Sequence, residues 1–208
     1  MSWGKFITIE GVEGVGKTTS IAFIEQYFKQ SGQAILLTRE PGGTPLAEKI
    51  RELLLDARQT SMGDDTELLL MFAARAQHLK EKIIPALEAG EWVICDRFTD
   101  ATYAYQGGGR GISTQRIAQL EKWVQGELRP DVTLLLDLPV ELGLKRAGER
   151  STPDRFEQEK QAFFERVRAS YLAMAEQEPQ RYRIIDASGS IEEVQSRIKQ
   201  VLDEISSL

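Results

Sequence analysis

Lys5-Phe-Ile-Thr-Ile-Glu-Gly-Val-Glu-Gly-Val-Gly-Lys-Thr-Thr19 is the stretch whose reading decides the fold. Residues 11–18 within it satisfy the pattern G-x-x-x-x-G-K-[ST]. The apolar run before the loop has strand character. The residues after it, Ser20-Ile-Ala-Phe-Ile-Glu-Gln-Tyr-Phe-Lys29, carry apolar side chains at helical spacing. Strand, glycine loop and helix are the context a phosphate-binding loop needs. Its glycines let backbone N–H groups turn toward an anion, and the helix adds the positive end of its dipole. Gly11, Val12, Glu13, Gly14, Val15, Gly16, Lys17, Thr18 and Thr19 therefore become candidate ATP-binding residues. Lys17 would reach the β- and γ-phosphates, and the Thr18 hydroxyl would ligate Mg²⁺. A glycine-rich turn matching by accident is the alternative, and the flanking strand and helix argue against it.

A chain of 208 residues, 41% hydrophobic and 28% charged, is long enough for one α/β domain with a sizeable core. No apolar run approaches the length of a membrane span, and no signal-peptide pattern opens the chain, so a cytoplasmic location is expected. The net charge of −6 argues against a nucleic-acid polymer as partner. The single cysteine, Cys95, lies in an apolar run and reads as packing. Five largely apolar segments, 5–10, 34–39, 91–96, 132–137 and 181–186, read as buried parallel strands. Helical patterns alternate with them at 18–30, 46–56, 66–89, 113–126, 140–150, 154–178 and 191–205, which predicts a doubly wound three-layer α/β fold. In such sheets the ligand crevice lies beyond the carboxyl ends of the strands.

The loops after those strands supply the remaining candidates. Thr38-Arg-Glu-Pro-Gly-Gly-Thr44 reads as a turn before a helix, with Arg51 a surface charge on that helix. The third strand ends in Asp96-Arg97-Phe98. Asp96 could hold Mg²⁺ near the loop and Arg97 could fork onto phosphoryl oxygens, with simple charge pairing as the alternative. Thr102 and Gln106 share a face if their segment is helical, where they could meet one base edge. Gly107–Gly111 would then break that helix, and Tyr103 and Tyr105 could be ordinary packing residues. Arg75 interrupts an apolar helix, while His78 reads as a helix-face residue without a role. Lys145-Arg-Ala-Gly-Glu-Arg-Ser-Thr-Pro-Asp-Arg155 reads as a short mobile lid, about 146–157, able to bring arginine to a transferring phosphoryl group.

Five of these segments, Ile9–Thr19, Thr38–Gly43, Asp96–Phe98, Ala104–Gly107 and Asp154–Glu157, taken in this order, resemble the thymidylate kinase family over nearly the whole chain. The resemblance implies a P-loop kinase fold with a five-stranded parallel sheet flanked by helices, in a single domain spanning 1–208. It implies transfer of the γ-phosphoryl group of ATP to dTMP with Mg²⁺, and a homodimer formed through long helices such as 66–89. By resemblance, Glu13 faces the 3′-hydroxyl, Arg51 and Arg97 hold the dTMP phosphate, and Tyr105 crowds out a 2′-hydroxyl. Arg75, Thr102 and Gln106 surround the thymine edge. The peptide before Pro41 is expected to be cis. The family usually stacks a Phe on the base four residues before the Arg. Here that position is Met71, so either Met71 covers the base or a shift lets Phe72 do so. Ala101 stands where serine is common. The loop holds no arginine and the lid does, the bacterial pattern. That pattern makes Lys17, Arg97, Arg150 and Arg155 the catalytic candidates and Arg146 an ATP ligand. The rivals are a deoxynucleoside kinase, disfavoured by the Arg51/Arg97 pair, and a GTPase switch, disfavoured because the chain contains no asparagine for guanine recognition.

Overall fold

The computed structural model describes residues 3–59, 61–148 and 154–206. Five strands, β1 (Phe6–Glu10), β2 (Ile35–Arg39), β3 (Trp92–Asp96), β4 (Val132–Asp137) and β5 (Tyr182–Asp186), pair in parallel in the order β2-β3-β1-β4-β5. All five expected strands are present, each within a residue of its expected start. β1 lies at the centre and is buried along its whole length, because helices cover both faces of the sheet. That double burial is why it reads as a continuous apolar run.

The helices are α1 (Lys17–Ser31), α2 (Pro45–Leu55), α3 (Asp64–His78), α4 (Ile84–Glu88), α5 (Thr99–Thr102), α6 (Thr114–Val124), α7 (Val140–Gly148), α8 (Gln161–Gln177) and α9 (Ile191–Ser206). A π-helical turn, Leu79–Ile83, joins α3 to α4, so the expected long helix is one rod with a widened turn in it. The main core packs Ile7, Ile9, Leu134 and Leu136 of the sheet against Ile24 and Phe28 of α1 and Ile198 and Leu202 of α9. Among the described residues no helix is long and apolar enough to cross a membrane.

The glycine run does end its helix, though not at its first residue: α5 continues as a π-helical segment, Tyr103–Gly109, and the chain turns away at Gly111, whose φ is 81°. The missing side chains also let α8 approach, since a Cβ on Gly109 would lie 2.4 Å from the Phe163 ring. One expectation about helices is corrected. The helix expected over 154–178 begins only at Gln161. Asp154 Oδ1 accepts the backbone N–H groups of Phe156 and Glu157, at 2.8 and 2.9 Å, which offers that stretch a turn in place of a helix.

Candidate active site

The loop after β1 and the turn after β3 border a cavity of about 260 Å³ that runs from Gly14–Thr18 to Arg75 and Gln106. At the loop end, Gly14 and Gly16 have φ of 72° and 93°, the left-handed conformation that suits glycine. Gly16 caps α1 without a side-chain hydrogen bond, leaving the helix's first N–H groups for an anion. Lys17 Nζ curls back to donate to the carbonyls of Gly11 and Val12, both at 3.3 Å. Burial and then Arg97 pull the Lys17 pKa down, a strain that a phosphate ligand would relieve. Thr18 and Asp96 line the same end, and Asp96 Oδ1 is a buried oxygen without a hydrogen-bond partner. Among the described residues no three His, Cys, Asp or Glu converge on a metal site. A hydroxyl plus one carboxylate is an all-oxygen set that fits Mg²⁺, which takes most of its other ligands from water and phosphate.

Arg97 is the pivot of the cavity. Its φ of 66° is rare for a non-glycine residue. The turn is held on both sides: Arg97 N donates to Ile9 O at 3.0 Å and Phe98 N to Glu10 Oε1 at 2.7 Å. The guanidinium lies 4.6 Å from the Tyr105 ring centre and donates to Glu13 Oε1 at 2.8 Å, an oxygen that also accepts from the Tyr105 hydroxyl at 3.0 Å. Burial works against charge on Glu13, but Arg97, Lys17 and Tyr105 outweigh it and hold the carboxyl below the usual range. Tyr105 is thus a site residue as well as a packing one. Behind it, Tyr171 Oη donates to Glu10 Oε2 at 2.7 Å.

At the far end, Arg75 is 3% exposed and clamped by two neighbours. Its Nε donates to Glu40 Oε2 at 2.7 Å and its Nη2 to Thr102 Oγ1 at 3.0 Å, while Nη1 is buried without a partner. The ring faces of Phe72 and Phe98 lie 4.8 and 5.1 Å from its guanidinium carbon. Phe72 is consequently not a cavity residue: it packs with Leu68, Ile112 and Ile117 under the arginine, and Met71 lines the cavity. Thr102, Tyr105 and Gln106 line it too, as does Arg51, whose Nη1 reaches Pro41 O at 2.9 Å. Arg51 is therefore not a simple surface charge. The Glu40–Pro41 peptide is cis, as expected.

His78 overturns its reading. It is fully buried, with Nδ1 3.0 Å from Glu40 Oε1 and Nε2 2.6 Å from Thr38 Oγ1. Glu40, Glu10, Tyr171 and Glu67 were likewise missed. The available signals were faint: His78 falls three residues after Arg75, on the same helix face, and Glu40 precedes the cis proline.

The lid candidates separate. Arg146 donates to Ala187 O and Ser188 O, at 3.0 and 3.4 Å, and lines a second cavity of about 300 Å³ together with Gly14, Thr19 and Ser190. Arg155 does not face the phosphate loop. Its Nε donates to Leu54 O at 2.8 Å and its Nη2 to the buried Glu67 at 2.5 Å, with the guanidinium carbon 4.6 Å from the Phe156 ring centre. Arg150 lies outside the described residues.

Comparison with known proteins points to one family. A family model described as Thymidylate kinase matches residues 9–198. A protein named thymidylate kinase from Pseudomonas syringae pv. tomato is 60% identical over 202 residues, 97% of this chain and 96% of that one. Another so named, from Pseudomonas putida, is 61% identical over 200 residues, 96% of this chain and 97% of its own. The crystal structure of thymidylate kinase from Ehrlichia chaffeensis superposes with a TM-score of 0.77 at 34% identity, covering 97% of this chain and 99% of that chain.

Proposed function

The chain belongs to the thymidylate kinase family, ATP-dependent nucleoside-monophosphate kinases, and we propose that its two cavities hold ATP and dTMP with their phosphates meeting at Arg97. The observation that carries the reading is one cavity with a phosphate loop at one end and, at the other, a buried arginine whose Nη1 has no partner. The loop N–H groups of Gly11–Thr19 and Lys17 take the donor phosphates, and Arg146 with Thr19 borders the cavity for the donor's base. Arg51 and Arg97 clamp the acceptor phosphate. Glu13, held as a carboxylate, accepts from the 3′-hydroxyl, and the Tyr105 ring leaves no room for a 2′-hydroxyl. Thr18 and Asp96 would hold Mg²⁺, which when bound neutralises charge on the donor phosphates.

The acceptor phosphate is already ionised at neutral pH, so no strong general base is needed. Alignment and charge neutralisation carry phosphoryl transfer. Lys17 and Arg97 supply part of that, and Arg150 on the lid supplies the closing cation. Arg155 serves as the lid's anchor. At the base, Arg75 Nη1 donates to a ring carbonyl, Thr102 and Gln106 complete the edge, and Met71 covers the face with a polarizable sulfur. The protein acts as a cytoplasmic homodimer. A coupled assay of ATP consumption across nucleosides and nucleoside monophosphates tests the reading. Turnover should be fastest with dTMP and slower by orders of magnitude with dCMP; equal turnover of thymidine would refute a phosphorylated acceptor.

A further inference from the structure

Glu67 sits one layer behind the base end of the cavity, 1% exposed on α3, and does not line it. Four donors converge on its carboxylate. Oε1 accepts from Gln106 Nε2 at 2.7 Å and Arg110 Nε at 3.4 Å; Oε2 accepts from Arg155 Nη2 at 2.5 Å and Arg110 Nη2 at 3.3 Å. Arg110 is itself shared with Glu159. A carboxylate ion-paired to two guanidiniums offers only acceptor oxygens. The end of the Gln106 amide that meets it must therefore be the NH₂ group, because a carbonyl turned toward it would face an acceptor at hydrogen-bonding distance. The carbonyl Oε1 is what remains for the cavity that Gln106 lines.

We propose that Glu67 is a positioning residue that locks the Gln106 amide in one orientation, so that the cavity offers an acceptor at Gln106 beside the donor Arg75 Nη1. This rests on the reading of the cavity as the site for an acceptor base. A donor next to an acceptor is the complement of a pyrimidine carrying a carbonyl beside a ring N–H. It is the wrong way round for one carrying an exocyclic amine beside an unprotonated ring nitrogen. Selectivity between the two classes is thus set by a residue that touches neither.

The test compares kcat/KM for dTMP and dCMP in the wild type and in Glu67→Gln. The substituted side chain keeps its shape but can donate as well as accept, so the 106 amide loses its single orientation. The dTMP/dCMP ratio should fall by at least about tenfold, mostly through KM. A Glu67 that served only stability would lower both acceptors together, and an unchanged ratio in a folded variant overturns the proposal while leaving the acceptor reading intact. A wild type without preference for dTMP sinks both. Should Glu67→Gln not fold, the wild type decides by NMR, with the Gln106 Nε2 protons assigned through their loss in Gln106→Met. They should exchange slowly and continue to do so when dTMP is added; fast exchange in the free or the dTMP-bound protein overturns the proposal.

Discussion

Glu10 ends the central strand with no access to solvent and with both oxygens bonded, one to Phe98 N–H and the other to the Tyr171 hydroxyl. Burial, reinforced by Asp100 and opposed by Arg97, pushes its pKa from 4.5 up to about 8. An acid raised in this way holds more protons folded than unfolded between those values. The stability it confers is therefore complete below about 4.5 and is lost as pH rises through about 8. Glu10→Gln can still accept from Phe98 N–H, meets the Tyr171 hydroxyl as a donor in place of an acceptor, and cannot ionise. The drop in Tm between pH 5 and pH 8.5, followed by thermal unfolding, should thus be smaller in the variant than in the wild type. Equal drops would show that Glu10 does not titrate in this window. Lys17 is a simpler case. It bonds only to carbonyls of its own loop, so Lys17→Ala should leave the circular dichroism spectrum intact and lower kcat on the order of 10³-fold. Near-wild-type turnover would remove it from the donor site.

Among the elements, the π-helical segment Tyr103–Gly109 shows what a glycine run can do besides ending a helix. Phe163 of α8 fills the space a side chain at Gly109 would need. Gly109→Ala should cost about 1–3 kcal/mol in denaturant unfolding, the usual penalty for overpacking; an unchanged midpoint would mean α8 has room to retreat. The segment around Arg155 gives a second test. Arg155 is held by Leu54 O and Glu67, whereas an arginine delivered to the transferring group is worth about 10³–10⁵ in rate. Arg150→Ala should therefore lower kcat far more than Arg155→Ala, and Arg155→Ala should lower Tm more. The reverse ranking in steady-state kinetics would return Arg155 to the chemistry. These elements also mark how far the sequence could be read. Strands buried on both faces leave unbroken apolar runs, and the phosphate loop is a local motif, so both were legible. The Arg75–Glu40 and Arg155–Glu67 pairs are 35 and 88 residues apart in sequence, and only the tertiary fold brings them together. The late start of α8 was hidden for a similar reason: it depends on where the Asp154 side chain points.

Across the whole molecule, three helices, two of them packed on the third, keep large apolar side chains exposed. Leu46 and Leu53 on α2 are 51% and 50% exposed, Leu69 on α3 is 55% and Trp123 on α6 is 83%. Helix α3 packs against both α2 and α6, so these residues belong to adjoining surfaces. Apolar surface gathered in this way marks an interface. A second copy of the chain meets the need most directly, since a self-complementary patch closes a dimer without any other partner. The wild type should therefore sediment at twice the mass of one chain, with a Tm that rises with protein concentration. Leu69→Glu combined with Trp123→Glu places charge in that surface and should give monomers whose Tm no longer depends on concentration. Helix α3 also carries Met71 and Arg75, so loss of its partner should raise the KM for dTMP more than that for ATP. A doubly substituted chain that still sediments as a dimer would place the interface on another face.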